Sequence, residues 1–247
     1  MKALFGLHRA QKHGQNVSFC LMISLLIILF IPTFATSSSY NAVNDFGSTN
    51  PTAPWSYGYE TTLGGSFTLF ANYTGSYASM ANWLAWMYGA NPSTPVIAKN
   101  NTSSTLIYST LTQPIDVLLM HPGNLGEYAV LRFTAPTTDT YNISAIFSGL
   151  DTTTTDVNIL KNNVGIFSDA ITGFGDTGSS ASSLSMIAGD TLDFAVGYGS
   201  GSNNTYLNDS TGLKFTADIS TVPEPATMLL FGLGLIVLAG VRRKFQN

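Results

Sequence analysis

The chain has 247 residues, enough for one domain of ordinary size together with processing segments. Its ten Lys and Arg and fourteen Asp and Glu leave a net charge of −4, but six of the cations sit in the two ends. Between Asp45 and Asp218 only Lys99, Arg132, Lys161 and Lys214 face thirteen acids, a balance of about −9, which excludes a nucleic-acid partner because no basic face can be assembled.

Residues 1–35 open with Lys2, Arg9 and Lys12 and continue into FCLMISLLIILFIPTFA. A basic start, an apolar run and small residues at its end predict a secretory signal peptide. Thr33 and Ala35 suit the small positions before a cut just after Ala35. The long basic start keeps an uncleaved membrane anchor as the alternative. Cys20, the only cysteine, lies in this segment, so the exported part has no disulfide, thiol nucleophile or thiolate metal site. His8 and His13 lie there too, and His121 is left as the single imidazole.

Residues 36–220 are read as one exported β-sandwich domain. Tyr141, Ile143, Ala145 and Phe147 alternate with polar residues in YNISAIF, as do Leu192, Phe194 and Val196 in TLDFAVG. Leu213, Phe215, Ala217 and Ile219 repeat the pattern, and Ala129, Leu131 and Phe133 form one face of EYAVLRF with Arg132 on the other. Period-two segments separated by HPGNLG, TAPTTD, KNN and IAGD predict short antiparallel strands. The expected fold class is all-β, an antiparallel sandwich or jelly roll flanked by an N-terminal signal helix and a C-terminal transmembrane helix. The best helical candidate inside the domain is YASMANWLAWMYG, where Trp83 and Trp86 would sit one turn apart.

Few residues of this domain suggest chemistry. His121 precedes Pro122-Gly123, and without an evident nucleophile and orienting acid it reads as a loop histidine bonded to its own turn. The acid pairs Asp151/Asp156 and Asp190/Asp193 read as solvated turn and strand residues rather than as a glycosidase pair, which needs two carboxylates across a cleft. Structural calcium is the better metal hypothesis: Asp151 and Asp156 in one loop, or Asn208 and Asp209 in NNTYLNDSTG, supply the oxygens it favours. Aromatic rings stack on sugars, so Trp55, Trp83 and Trp86 are candidate glycan-binding residues, with Tyr57, Tyr77 and Tyr88 also available; the competing role for each ring is core filling.

The last element is VPEPATMLLFGLGLIVLAGVRRKFQN. Ala226 to Val241 is sixteen residues without a charge, a helix of roughly 24 Å. That is short for a hydrocarbon core of about 30 Å, and snorkelling by Arg242, Arg243 and Lys244 makes up the difference. The cation cluster puts the C-terminus on the cytoplasmic side and the domain across the membrane. Pro223-Glu224-Pro225, the Leu/Gly-rich span and Arg242-Arg243-Lys244 together resemble the PEP-CTERM sorting signal of Gram-negative bacteria, over residues 221–247. The same C-terminal signature has circulated as an "ice-binding protein C-terminal domain". The resemblance implies recognition of the Pro-Glu-Pro and tail cleavage by exosortase, a membrane-embedded cysteine transpeptidase of exopolysaccharide-producing, biofilm-forming bacteria. Two prolines hold the tripeptide extended, as something an enzyme reads.

The central stretch carries a second resemblance. PWSYGYE, LLMHPGNLGEYAVLRFTAPTTDTYNISAIFSGLD, TDVNIL and AGDTLDFAVG are similar to a module of other exported bacterial proteins, itself similar to carbohydrate-binding jelly rolls. The expectation is therefore a non-catalytic surface or matrix protein that binds glycan or exopolysaccharide. A structural or adhesive matrix component without a ligand, and an enzyme acting on polysaccharide, are the alternatives. An exposed aromatic platform beside a groove separates the first from the second, and facing carboxylates would mark the third.

Overall fold

The period-two segments become strands almost throughout the central region of the chain. The computed structural model describes residues 38–89, 95–199, 206–219, 230–235 and 238. Its larger sheet holds β1 (Ser39–Asn41), β4 (Asn72–Thr74), β5 (Trp83–Met87), β6 (Val96–Asn100), β9 (Leu118–His121), β11 (Asp139–Gly149), β14 (Thr177–Met186) and β16 (Thr211–Ile219). These eight run β14-β11-β16-β9-β6-β5-β4, with β1 and β9 sharing one edge of β16 end to end. The second sheet is formed by β2 (Trp55–Glu60), β3 (Thr68–Leu69), β10 (Tyr128–Thr134), β12 (Thr154–Lys161), β13 (Val164–Thr172) and β15 (Thr191–Gly197). It runs β13-β12-β15-β10-β2-β3, and a separate hairpin pairs β7 (Leu106–Tyr108) with β8 (Leu111–Gln113). Neighbouring strands are antiparallel, and Ser37–Ser220 is one compact unit by its internal contacts.

The core lies between the inner faces of the two sheets. Leu213, Phe215 and Ala217 of β16 and Tyr141, Ile143, Ala145 and Phe147 of β11 meet Leu131, Phe133, Leu192 and Phe194 of the opposite sheet. Phe194 and Phe215 pack at a tilt of 43° with centroids 4.2 Å apart, and Trp55 meets Phe215 edge-on at 5.8 Å. Each such ring buries a large apolar area in the sandwich. The KNN turn closes the β12–β13 hairpin: Asn162 and Asn163 take φ of +50° and +64°, the left-handed pair that a two-residue type I′ turn requires.

The helical expectation for residues 77–89 is corrected. Tyr77–Ser79 forms a single 3₁₀ turn, and Trp83–Met87 is β5, paired with β4 and β6. Residues three apart share a face on a helix but oppose each other on a strand. Trp86 therefore points into the core, and Trp83 points to the outer face of the eight-stranded sheet. There Trp83, Ala85, Met87, Val96, Ala98 and Leu119 form a second apolar layer, covered by Leu106 and Leu111 of the β7–β8 hairpin.

The signal segment and the sorting residues Pro223, Glu224, Pro225, Arg242, Arg243 and Lys244 lie outside the described residues. Of the expected span at 226–241, residues 230–235 and 238 are described, and they are helical. Among the described residues no helix is long and apolar enough to cross a membrane.

Candidate functional site

A cleft of about 810 Å³ opens on the outer face of the eight-stranded sheet, beside the second apolar layer. Its floor is strand-borne: Trp83 and Met87 from β5, Leu119 and His121 from β9. Its walls come from β4, the 3₁₀ turn, the turn between β7 and β8, and residues 206–210. Strands hold the floor rigid, and the turns that rise around it carry hydroxyls, amides and tyrosines.

Trp83 organises one side. It is 1% exposed, and its Nε1–H donates to Gln113 Oε1 at 2.7 Å. Gln113 in turn donates to the carbonyls of Ala98 and Val117, so the indole is fixed by a buried amide relay. Tyr77 packs edge-on against Trp83 at 4.8 Å, and Tyr108 leans on it at 5.9 Å. Burial pushes the Tyr77 phenol up to about 12, so it stays a neutral donor. Tyr108 is 49% exposed and rests one side on Trp83, so it is the aromatic face that the cleft offers to solvent. Tyr73 is opposite Trp86 in the β4–β5 pair and packs on that indole, so its ring belongs to the inner face of the sheet, while Asn72 and Thr74 face the cleft.

The opposite side is polar. His121 Nδ1 lies 2.8 Å from the carbonyl oxygen of Pro122, in its own turn, and its ring meets Tyr206 edge-on. Burial lowers the His121 pKa, against the weaker pull of the Pro122 carbonyl and of Asp151. Asp151 lines the cleft, is 5% exposed and accepts the Thr152 N–H. Behind it Asp209 is fully buried; Oδ1 accepts the N–H and hydroxyl of Thr154, while Oδ2 has no hydrogen-bond partner. Burial raises the Asp209 pKa, the Thr154 bonds oppose this, and the charge of Asp151 adds to it.

The residues singled out from sequence scatter across this architecture. Trp55, Trp83 and Trp86 are 1%, 1% and 6% exposed, with their N–H groups committed to Asp45, Gln113 and the Gly47 carbonyl. A ring without an open face has nowhere to stack a sugar, so the expected indole platform is corrected: all three indoles are covered, and Tyr108 is the half-exposed ring lining the cleft. Tyr57 is buried as well, whereas Tyr77 does line the cleft. Tyr73, Tyr108 and Tyr206 were not among the sequence candidates. The acid pairs separate too. Asp156 lies on the outer face of the other sheet, bonded by Asn158 and the Gly199 N–H, because its neighbour Val157 takes the inward position. Asp151 instead approaches Asp209, with the exposed Asn208 next in line. Among the described residues no group of three or more His, Cys, Asp or Glu side chains is arranged to hold a metal ion. Asp190 sits in a turn, paired with Lys161 at 3.3 Å, and Asp193 is buried against Arg132.

Residues 221–244 match the PEP-CTERM protein-sorting motif. No curated protein matches the sequence. Among solved structures, the chain is similar to a family 35 carbohydrate-binding module from Clostridium thermocellum, at 14% identity and a TM-score of 0.29, covering 76% of this chain and 100% of that one. It is similar to a carbohydrate-binding module CBM36 solved with calcium and xylotriose, at 13% identity and a TM-score of 0.28, covering 73% and 98%. A third likeness is the GH26-CBM35 β-(1,4)-mannanase of Podospora anserina, at 12% identity and a TM-score of 0.29. It covers 76% of this chain and 28% of the mannanase. At these identities and scores the likenesses assign no ligand to this chain.

Proposed function

We propose that this is an exported, non-catalytic surface or matrix protein whose cleft on the eight-stranded sheet binds glycan. The observation that carries the reading is the cleft: about 810 Å³ on a rigid strand floor, with Tyr108 half open at its mouth, Tyr77 and Tyr206 lining it, and hydroxyl and amide side chains around them. Sugar rings present apolar faces bordered by hydroxyls, and such a surface matches both. Asp151 is the one carboxylate among the described residues lining the cleft, which supports binding over hydrolysis, since glycosidic cleavage uses two. A glycan array on the full-length protein, with Tyr108→Ala beside it, tests the reading. It expects at least one polysaccharide class retained by the wild type and lost by the variant, and it fails if no glycan is retained.

The address of the protein follows from the two ends. The sorting motif supports export, exosortase processing at Pro223-Glu224-Pro225, and a membrane-held precursor that reaches the cell surface or matrix. Exported protein should begin near Thr36, and Glu224→Ala should trap the full-length form in the inner membrane. Release of Glu224→Ala like the wild type, in a host with exosortase, would overturn this part.

A second reading concerns calcium, and one feature favours it: Asp209 Oδ2 is buried without a partner beside a second carboxylate, Asp151. Asp151, Asn208 and Asp209 would hold the ion, with backbone carbonyls completing the six to eight oxygens it needs. Calcium should then raise the Tm of the wild type by mass action and leave Asp209→Asn unmoved. An unmoved wild type removes this reading.

A further inference from the structure

We infer that the cleft takes uncharged, hydroxyl-rich polysaccharide and rejects polysaccharide bearing carboxylate or sulfate groups. This selectivity presupposes the glycan-binding cleft proposed above and adds the charge class of its ligand. Two side chains on the polar side of the cleft, Asp151 and His121, present acceptors. Asp151 is a carboxylate, and an ionised carboxylate only accepts. His121 Nδ1 meets a carbonyl oxygen, which only accepts, so Nδ1 carries the proton and Nε2 is an acceptor as well.

No cation balances these acceptors. Among the described residues lining the cleft there is neither Lys nor Arg, and segments 90–94 and 200–205 contain no charged residue. The eight-stranded sheet carries two lysines. Lys99 shares the parity of the inward-facing Ile97, and Lys214 is paired with Asp116 at 2.7 Å. A sugar hydroxyl donates to Asp151 or His121 and accepts from the serine and threonine hydroxyls around them. The charged group of a uronate or a sulfated sugar offers only acceptors, and it would meet Asp151 at short range in a partly desolvated site.

The test uses the full-length protein and a panel of neutral polysaccharides, each beside its C6-oxidised derivative, which keeps the linkage and adds carboxylates. Binding is measured in chelator and again in calcium. The neutral polymer that binds is expected to bind on the order of tenfold more tightly than its oxidised form. Asp151→Asn, which keeps the acceptor for Thr152 N–H, is expected to raise binding of the oxidised form and narrow that ratio. Equal or tighter binding of the oxidised polymer in either condition overturns the charge selectivity while leaving glycan binding intact. A ratio unchanged in Asp151→Asn overturns the role of this carboxylate. Retention of no polymer at all overturns the glycan reading itself, and the selectivity with it.

Discussion

On the outer face of the six-stranded sheet, Arg132 lies with its guanidinium 4.2 Å over the Phe67 ring and forks onto Asp193 at 2.6 and 2.8 Å. Glu60, fully buried, stands 3.8 Å away and accepts the Gly64 N–H. On the outer face of the eight-stranded sheet, Trp83 is equally buried, but Tyr108 stays half open over a cleft. The first face closes its charges under a ring: the guanidinium and Asp193 are consumed by the fold, and Glu60 Oε1, without a hydrogen bond, keeps the 3.8 Å ion pair. The second keeps hydroxyls, the acceptors of its polar side and a ring face available to solvent. The contrast separates polar groups that hold the sandwich together from polar groups left for a partner.

Breaking the closed face should have the largest effect. Arg132→Ala leaves Asp193 and Glu60 buried without their cation, and is expected to cost about 3–5 kcal/mol of stability. Denaturant unfolding checks this. A loss below about 1 kcal/mol would mean that the network contributes little. The open face should respond in the opposite way. Tyr108→Ala is expected to weaken glycan binding on the order of tenfold, as truncated aromatic anchors do. Because this ring is substantially exposed, its unfolding midpoint should stay near that of the wild type.

A smaller effect should appear in the pH dependence of stability. The Asp209 carboxyl is raised in the fold, chiefly by burial and further by Asp151, so the native state binds its proton more tightly than the unfolded chain does. That contribution is complete below the ordinary carboxyl range, near pH 4, and is lost as pH rises through the higher folded value. Asp176 and Asp190 are lowered by hydrogen bonds and act in the opposite sense, so the informative quantity is the difference between wild type and Asp209→Asn. The variant should lose less stability than the wild type as pH rises from about 4 to 7. Parallel curves would mean that Asp209 does not hold the proton. Smallest of all, Lys214→Ala breaks a half-exposed pair with Asp116 and should shift stability by less than about 0.5 kcal/mol.

Much of the sandwich was legible because its strands alternate strictly. The inward sets of β11, β15 and β16 could be read directly from YNISAIF, TLDFAVG and GLKFTADI, and KNN marked its hairpin. YASMANWLAWMYG was misread because spacing of three between two indoles fits a helix face, whereas β5 buries both sides, Trp86 in the core and Trp83 in the outer layer. A strand buried on both faces loses the alternation that identifies it. The cleft was not legible. Tyr77, Tyr108 and Tyr206 belong to distant segments that meet only through sheet pairing and the folded-over β7–β8 hairpin, and no local spacing records that. Likewise, Asp151 and Asp156 are close in sequence. The start of β12 sends Asp156 to the far sheet while Asp151 stays in the connection facing the cleft.

The central claim is that the outer face of the eight-stranded sheet, and not that of the six-stranded sheet, receives the ligand. Ring-labelled tyrosine NMR on the protein, titrated with a neutral polysaccharide fragment that it retains, tests this most directly. The account expects the Tyr77, Tyr108 and Tyr206 signals to shift together and saturate. Tyr128, on the six-stranded sheet, and Tyr141, in the core, should hold still. Shifts confined to Tyr128, or saturation with the three cleft tyrosines unmoved, would contradict it.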